Sequence, residues 1–154
     1  MATKLFVLNG PNLNLLGQRE PELYGTSTLD DVRTACERVA AEVGFELFFA
    51  QTNAEFQMID WLHDAFREEA TVVINPAGFT FASVPVLDAL LMLGTPIVEI
   101  HITNIHARDA AHRTSLISTA ATTVIAGAGT FGYELAIRAA DRLAAARDGR
   151  PAGS

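Results

Sequence analysis

The chain has 154 residues, 49% of them hydrophobic, a formal charge of −7 and a single cysteine, Cys36. That length is most simply one domain, the acidic balance argues against nucleic-acid and anionic-membrane partners, and one cysteine supplies neither an internal disulfide nor a metal cluster. No run approaches the roughly 18–20 apolar residues of a membrane span, and "MATKLFVLNG" (1–10) does not read as a secretory leader, so the expected location is the cytoplasm. In chain order, "KLFVLNG" (4–10) predicts a buried strand. "TLDDVRTACERVAAEVG" (28–44) predicts a helix, with Thr28 and Asp31 at capping-box spacing, Gly44 as its stop and Cys36 as core filler. "FELFFAQ" (45–51) is the second strand. "TNAEFQMIDWLHDAFREEA" (52–70) is a helix with a threonine and a glutamate three apart at its start. Its Met58, Trp61, Leu62, Ala65 and Phe66 form a core stripe at spacings of three and four. "TVVINP" (71–76) is a strand, and "SVPVLDALLMLG" (83–94) a helix that accepts Pro85 in its first turn. "PIVEIHIT" (96–103) is a strand, followed by a polar loop to about Ser115. "ATTVIAG" (121–127) and "GYELAIRAADRLAAAR" (132–147) close the pattern as strand and helix. Residues 1–147 then make one domain, and 148–154, "DGRPAGS", a disordered tail.

Five strands alternating with helices predict an α/β fold, a doubly wound five-stranded parallel sheet of flavodoxin-like order 2-1-3-4-5 with helices on both faces. Ligands of such sheets sit beyond the carboxyl ends of the strands, near the point where strand order reverses. Strand 1 ends in Asn9, Gly10, Pro11 and Asn12, strand 3 in Asn75, Pro76 and Gly78, and strand 4 in Glu99, His101 and Thr103. Polar groups therefore converge on the edge that the topology nominates. A flavin phosphate loop would show hydroxyl-rich residues after strand 1, which are missing. A phospho-acceptor receiver would show aspartate after strand 3 and lysine after strand 5, where Asn75 and Gly127 stand.

Glu99 and His101 alternate on a strand and so share a face. A carboxylate there favours the imidazolium and raises the histidine pKa from about 6.5, which makes a proton donor near neutrality. The spacing alone also fits a plain charged pair at a strand end. Arg19 and Tyr24 share the loop after strand 1. A phenol with a pKa near 10 is a feeble base at pH 7, and a guanidinium held within about 4–6 Å favours the tyrosinate, lowering such a pKa by about 1–3. Gly17 and Gly25 give that loop the character of a mobile lid. On spacing alone the pair equally fits ordinary loop residues.

The stretches "LNGPNLNLLGQREPELYG" (8–25), "IDWLH" (59–63), "VEIHITNIHAR" (98–108) and "GYELA" (132–136) resemble type II dehydroquinases, the 3-dehydroquinate dehydratases of the shikimate and quinate pathways, over about residues 4–140. The resemblance implies a cofactor-free lyase with no metal, acting on a small cyclic hydroxy-ketone carboxylate and assembling as a homododecamer of four trimers. It implies that Tyr24 is the base, activated by Arg19, removing a proton alpha to the ring ketone in an anti elimination. Asn12 would hold a water that stabilises the enolate, and His101, supported by Glu99, would protonate the departing hydroxyl. Asn75 and the backbone at Ile102 and Thr103 would bind substrate, and Asp88 would reach a neighbouring subunit's site. A Schiff-base route has no candidate near this edge, since the only lysine is Lys4 at the start of strand 1.

Two positions depart from the family pattern. Phe81, in "NPAGFTFAS" (75–83), stands where a substrate-binding histidine is expected, and His112 where an arginine is, with Arg113 adjacent. "NAEFQ" (53–57) also departs, from His-Glu-Gly. A hydrogen bond to a charged group contributes about 1.5–3 kcal/mol, so two lost contacts leave open a weakened or compensated dehydroquinase, or a paralogue acting on a different cyclic β-hydroxy ketone. A catalytically silent oligomeric homologue is a third reading.

Overall fold

The apolar runs form five strands: β1 (Thr3–Asn9), β2 (Phe45–Gln51), β3 (Thr71–Asn75), β4 (Ile97–His101) and β5 (Thr123–Ala126). They lie parallel in one sheet of order β2-β1-β3-β4-β5, as the alternation of strands and helices predicts. The computed structural model describes residues 3–153. Residues 1, 2 and 154, at the ends of the expected domain and tail, lie outside the described residues. The helices are α1 (Pro21–Tyr24), α2 (Leu29–Val43), α3 (Glu55–Glu68), α4 (Phe79–Ala82), α5 (Val84–Leu91) and α6 (Phe131–Asp148). The four-residue α1 and α4 escape the sequence reading, because a single turn is too short to show a hydrophobic period. They sit in the loops leaving β1 and β3.

Strand residues alternate between two cores. Leu5, Val7, Val73, Val98 and Ile100 pack with Val39, Ala40, Ile137 and Ala140 of α2 and α6. Phe6, Leu8, Val72, Ile74 and Ile97 pack with Met58, Leu62, Val86 and Leu90 of α3 and α5. Cys36 is buried in the first core, where burial pushes its thiol up to about 12. The predicted stripe on α3 is narrower than expected: Met58, Leu62 and Ala65 are buried, Trp61 is half-buried, and Phe66 is exposed.

Local capping follows the sequence where its partners are local. At α2, Thr28 Oγ1 accepts from the Asp31 N–H at 3.2 Å and Asp31 Oδ2 accepts from the Thr28 N–H at 2.9 Å, completing the box. At α3 the expected Thr52–Glu55 arrangement does not form. Thr52 Oγ1 accepts from Ala54 N–H, and Glu55 Oε2 accepts from Ser83 Oγ at 2.6 Å. Ser83 Oγ in turn accepts from the Val86 N–H at the start of α5, so this serine joins α3 to α5. At the other end, α6 stops at Gly149 in a left-handed conformation, and the Gly153 N–H donates to the buried Asp141 carboxylate at 2.7 Å.

Two glycines bring the site-bearing segments together. A Cβ on Gly10 would lie 2.3 Å from the Pro76 carbonyl oxygen, a backbone atom that cannot step aside. A Cβ on Gly132 would lie 2.6 Å from Ile100 Cδ1, the tip of a flexible side chain. Gly10→Ala is therefore expected to destabilise the fold by about 1–3 kcal/mol through overpacking, and Gly132→Ala by less. Urea denaturation of both variants checks the order, and equal losses would contradict it.

Candidate active site

β1, β3 and β4 end side by side, and the loops leaving them surround a cavity of about 170 Å³. That is small beside the 300–1,000 Å³ typical of drug-sized ligand sites, and it suits one small ring. Asn12, Arg19, Tyr24, Asn75, His101, Ile102 and Thr103 all line it. Glu99 lies behind His101 with no exposed surface. Asp88 does not join them: it is exposed on α5, outside the cavity of its own chain.

Glu99 and His101 share a face as their spacing predicts, and Glu99 Oε2 meets His101 Nε2. Two further donors complete the carboxylate: Ser115 Oγ donates to Oε2 at 2.9 Å and Ser118 Oγ to Oε1 at 2.7 Å. Burial works to raise the Glu99 pKa, but the hydrogen bonds from His101, Ser118 and Ser115 outweigh it and hold the carboxyl below its ordinary value of 4.5. The carboxylate is thus ionised at neutral pH, and His101 has Nδ1 as the ring nitrogen left for a ligand.

Across the cavity, Tyr24 ends α1. The Arg19 guanidinium lies 5.1 Å from the centre of its ring, and the Arg108 guanidinium 5.9 Å. Arg19 also pairs with Glu20 at 3.7 Å. Positive charge therefore flanks the phenol from two loops, the second of them unassigned by the sequence reading.

Backbone strain concentrates here. Asn12, Glu20 and Ala77 adopt left-handed conformations, with φ of 71°, 44° and 50°. Such residues cost free energy and persist where their surroundings hold them. The Asn12 N–H donates to Asn53 Oδ1 at 2.9 Å, and Gln51 Nε2 donates to the Gly10 carbonyl and to Asn53 Oδ1, both at 3.2 Å.

Phe81 and His112 both line the cavity and touch each other edge to face, with ring centres 5.2 Å apart and planes at 79°. Asp109 accepts from His112 Nδ1 at 2.9 and 3.0 Å. Arg113 is exposed and lies outside the lining. Among the described residues no group of three or more His, Cys, Asp and Glu side chains gathers in a way that would hold a metal ion, and no helix is long and apolar enough to cross a membrane.

Asn53, Arg108, Ser115, Ser118 and Tyr133 are the site residues that the sequence reading leaves without a role. Arg108 stands inside the quoted "VEIHITNIHAR", but the serines carry no signal beyond a spacing of three.

An ionised carboxylate behind a histidine, in one cavity with a phenol that has two guanidiniums near its ring, defines an acid–base site on a doubly wound α/β sheet. The chain belongs to the class II dehydroquinase family: the model of that family, "Dehydroquinase class II", matches residues 3–141. The chain is 53% identical to "3-dehydroquinate dehydratase 2" of Agrobacterium fabrum over 132 residues, 86% of this chain and 90% of that protein. It is 51% identical to "Catabolic 3-dehydroquinase 2" of Aspergillus flavus over 134 residues, 87% and 89% of the two chains. The crystal structure of the type II dehydroquinase from Propionibacterium acnes superposes with a TM-score of 0.87 at 42% identity, covering 94% of this chain and 97% of that one.

Because the native Glu99 carboxyl titrates below its unfolded value, its stabilising effect is full above the unfolded pKa and is lost as pH falls through the folded one. Ser118→Ala removes a donor to the charged form, worth about 1.5–3 kcal/mol. The variant is expected to unfold at a higher pH than the parent on acid titration, with the stability gap widest at neutral pH. Circular dichroism melts across pH 3–7 measure this, and a gap that does not change with pH would contradict it.

Proposed function

We propose that this chain is a lyase that dehydrates 3-dehydroquinate to 3-dehydroshikimate by anti elimination through an enolate. The observation that carries the reading is that Tyr24 and His101 line one small cavity, with the ionised Glu99 behind the histidine. Family membership and relatives named as 3-dehydroquinate dehydratases at about half identity support the substrate. In this mechanism the Tyr24 phenolate, stabilised by the Arg19 guanidinium, takes the proton alpha to the ring ketone. The electron pair moves onto the ketone oxygen, where a water held by Asn12 meets the developing charge. The enolate then collapses and expels the C1 hydroxyl, which leaves as water with the proton that His101 supplies. Asn75 and the backbone of Ile102 and Thr103 hold the substrate at its carboxylate end.

We further propose that the chain assembles as a homododecamer of four trimers in the cytoplasm. Phe56 and Phe66 on α3, Val84 and Leu91 on α5, and Met92 just beyond it are exposed apolar groups that an assembly would cover. Asp88 is exposed on α5 and outside the cavity of its own chain, which leaves it free to reach a neighbouring subunit's site. Light scattering is expected to give twelve times the chain mass, and a monomer or a free trimer would overturn the assembly.

The activity is tested by conjugated-enone absorbance when the protein meets 3-dehydroquinate. Wild type is expected to turn over, and Tyr24→Phe to lose about 10²–10⁴-fold in kcat, the usual contribution of a positioned base. Full activity in Tyr24→Phe would remove the tyrosine from its role. A silent wild type beside an active Phe81→His/His112→Arg variant would instead overturn 3-dehydroquinate as the substrate.

A further inference from the structure

The buried hydroxyl of Tyr133, in the first turn of α6, links the ends of β1 and β3. It donates to Asn9 Oδ1 at 2.7 Å and accepts from Asn75 Nδ2 at 2.8 Å. Asn9 Nδ2 donates to the Ala50 carbonyl at 3.0 Å, and Asn75 Oδ1 accepts from the Ala77 N–H at 3.3 Å. The direction of every bond in this chain is determined. A carbonyl can only accept, so Asn9 must present its nitrogen to Ala50 and its oxygen to the phenol. A phenol has one hydrogen, and Asn9 takes it, so toward Asn75 the phenol can only accept. Asn75 must therefore turn its nitrogen to Tyr133 and its oxygen to Ala77. Its second N–H is the part of the amide left free, and Asn75 lines the cavity. Burial raises the Tyr133 pKa and keeps the phenol neutral. Asn9 is not in the lining, and neither is Tyr133.

We propose that Tyr133 is a positioning residue for substrate binding: its hydroxyl sets the Asn75 amide so that a donor faces the cavity and selects a carboxylate or hydroxyl oxygen of the ligand. This rests on the reading of Asn75 as a substrate-binding group. Were the amide reversed, its oxygen would face the cavity and repel a carboxylate. The strand register makes the device possible. Asn9 and Asn75 are direct partners across β1 and β3, so both side chains leave the sheet on the face that α6 covers. Gly132 adds the fit, since without a Cβ the first turn of α6 seats close against Ile100.

The test compares KM and kcat of the full chain with 3-dehydroquinate in wild type, Tyr133→Phe, Asn75→Ala and the double variant. Ile137→Val, a core change on the same helix outside this network, controls for lost stability. Tyr133→Phe is expected to raise KM about tenfold with kcat within about twofold, while Ile137→Val lowers the melting temperature and leaves KM alone. In the Asn75→Ala background, Tyr133→Phe should raise KM no further. A Tyr133→Phe enzyme with unchanged KM beside a weakened Asn75→Ala overturns the positioning role and leaves Asn75 in its own. An Asn75→Ala enzyme with unchanged KM overturns both. If Tyr133→Phe does not fold, Asn9→Ala supplies the second test. It frees the phenol hydrogen to compete for Asn75 and is expected to raise KM by the same route, and an unchanged KM there overturns the proposal.

Discussion

Much of the architecture around the cavity answers to the burial of the Glu99 carboxylate. An ionised carboxyl with no exposed surface is costly unless its oxygens are met by donors, and this one is met by three: His101, Ser115 and Ser118. Both serines come from the segment between β4 and β5. That segment must therefore fold back across the end of β4 rather than run out into solvent. Its return is secured by the Leu116 N–H, which donates to the Thr80 carbonyl at 2.9 Å, and by Ile117, which is buried in the core beneath α5. Satisfying one charge thus brings together α4 and the 105–119 segment, which carry Phe81 and His112 into the cavity wall.

The cavity is held from both layers of the sandwich. Along β1 and β3 the odd-numbered residues face α2 and α6, so Asn9 and Asn75 are tied to Tyr133 on that side. β3 and β4 pair with Ile74 opposite Glu99, so Glu99 shares the face of Ile74 and looks toward α5. His101, two residues on, shares that face and closes over the carboxylate. The distance between Asn75 and His101 is consequently set by the pairing of two adjacent strands, while Asn75 is oriented by Tyr133 of α6 and His101 by Glu99, which the serines between β4 and β5 hold in place.

Where a feature depends on neighbours in the chain, the sequence announces it. The Thr28–Asp31 box is of this kind, while the sheet order and the meeting of three polar strand ends follow from the alternation of strands and helices under general rules of topology. Where it depends on a distant partner, no local pattern carries it. The Thr52–Glu55 spacing promises a second box, but Ser83, 28 residues from Glu55, claims the glutamate. Ser118 finds Glu99 across 19 residues, and Tyr133 finds Asn75 across 58 and Asn9 across 124. Arg108 stands within a stretch that resembles the family, yet its approach to Tyr24 follows only from the folding of the loop beyond β4. The core stripe of α3 shows the same limit, since periodicity marks the apolar face but not which edge of it the sheet covers, and Phe66 falls outside.

Phe81 and His112 read in sequence as two separate losses of a polar contact, and the structure joins them into one surface. The phenylalanine ring meets the imidazole at 79°, and Asp109 engages both the imidazole and the Ala111 N–H, fixing the turn that carries the histidine. The Asp109 carboxyl is held below its usual range, chiefly by its hydrogen bond with His112. An ionised Asp109 requires a hydrogen on Nδ1, so Nε2 is the free ring nitrogen. It accepts a hydrogen bond when the ring is neutral and donates one when the ring is charged. A hydroxyl group on a ligand, being both donor and acceptor, can be met in either state. Where the resemblance leads one to expect two separate polar groups, the wall therefore carries one imidazole braced between an aromatic edge and a carboxylate. A polar contact persists on this wall while part of it turns apolar.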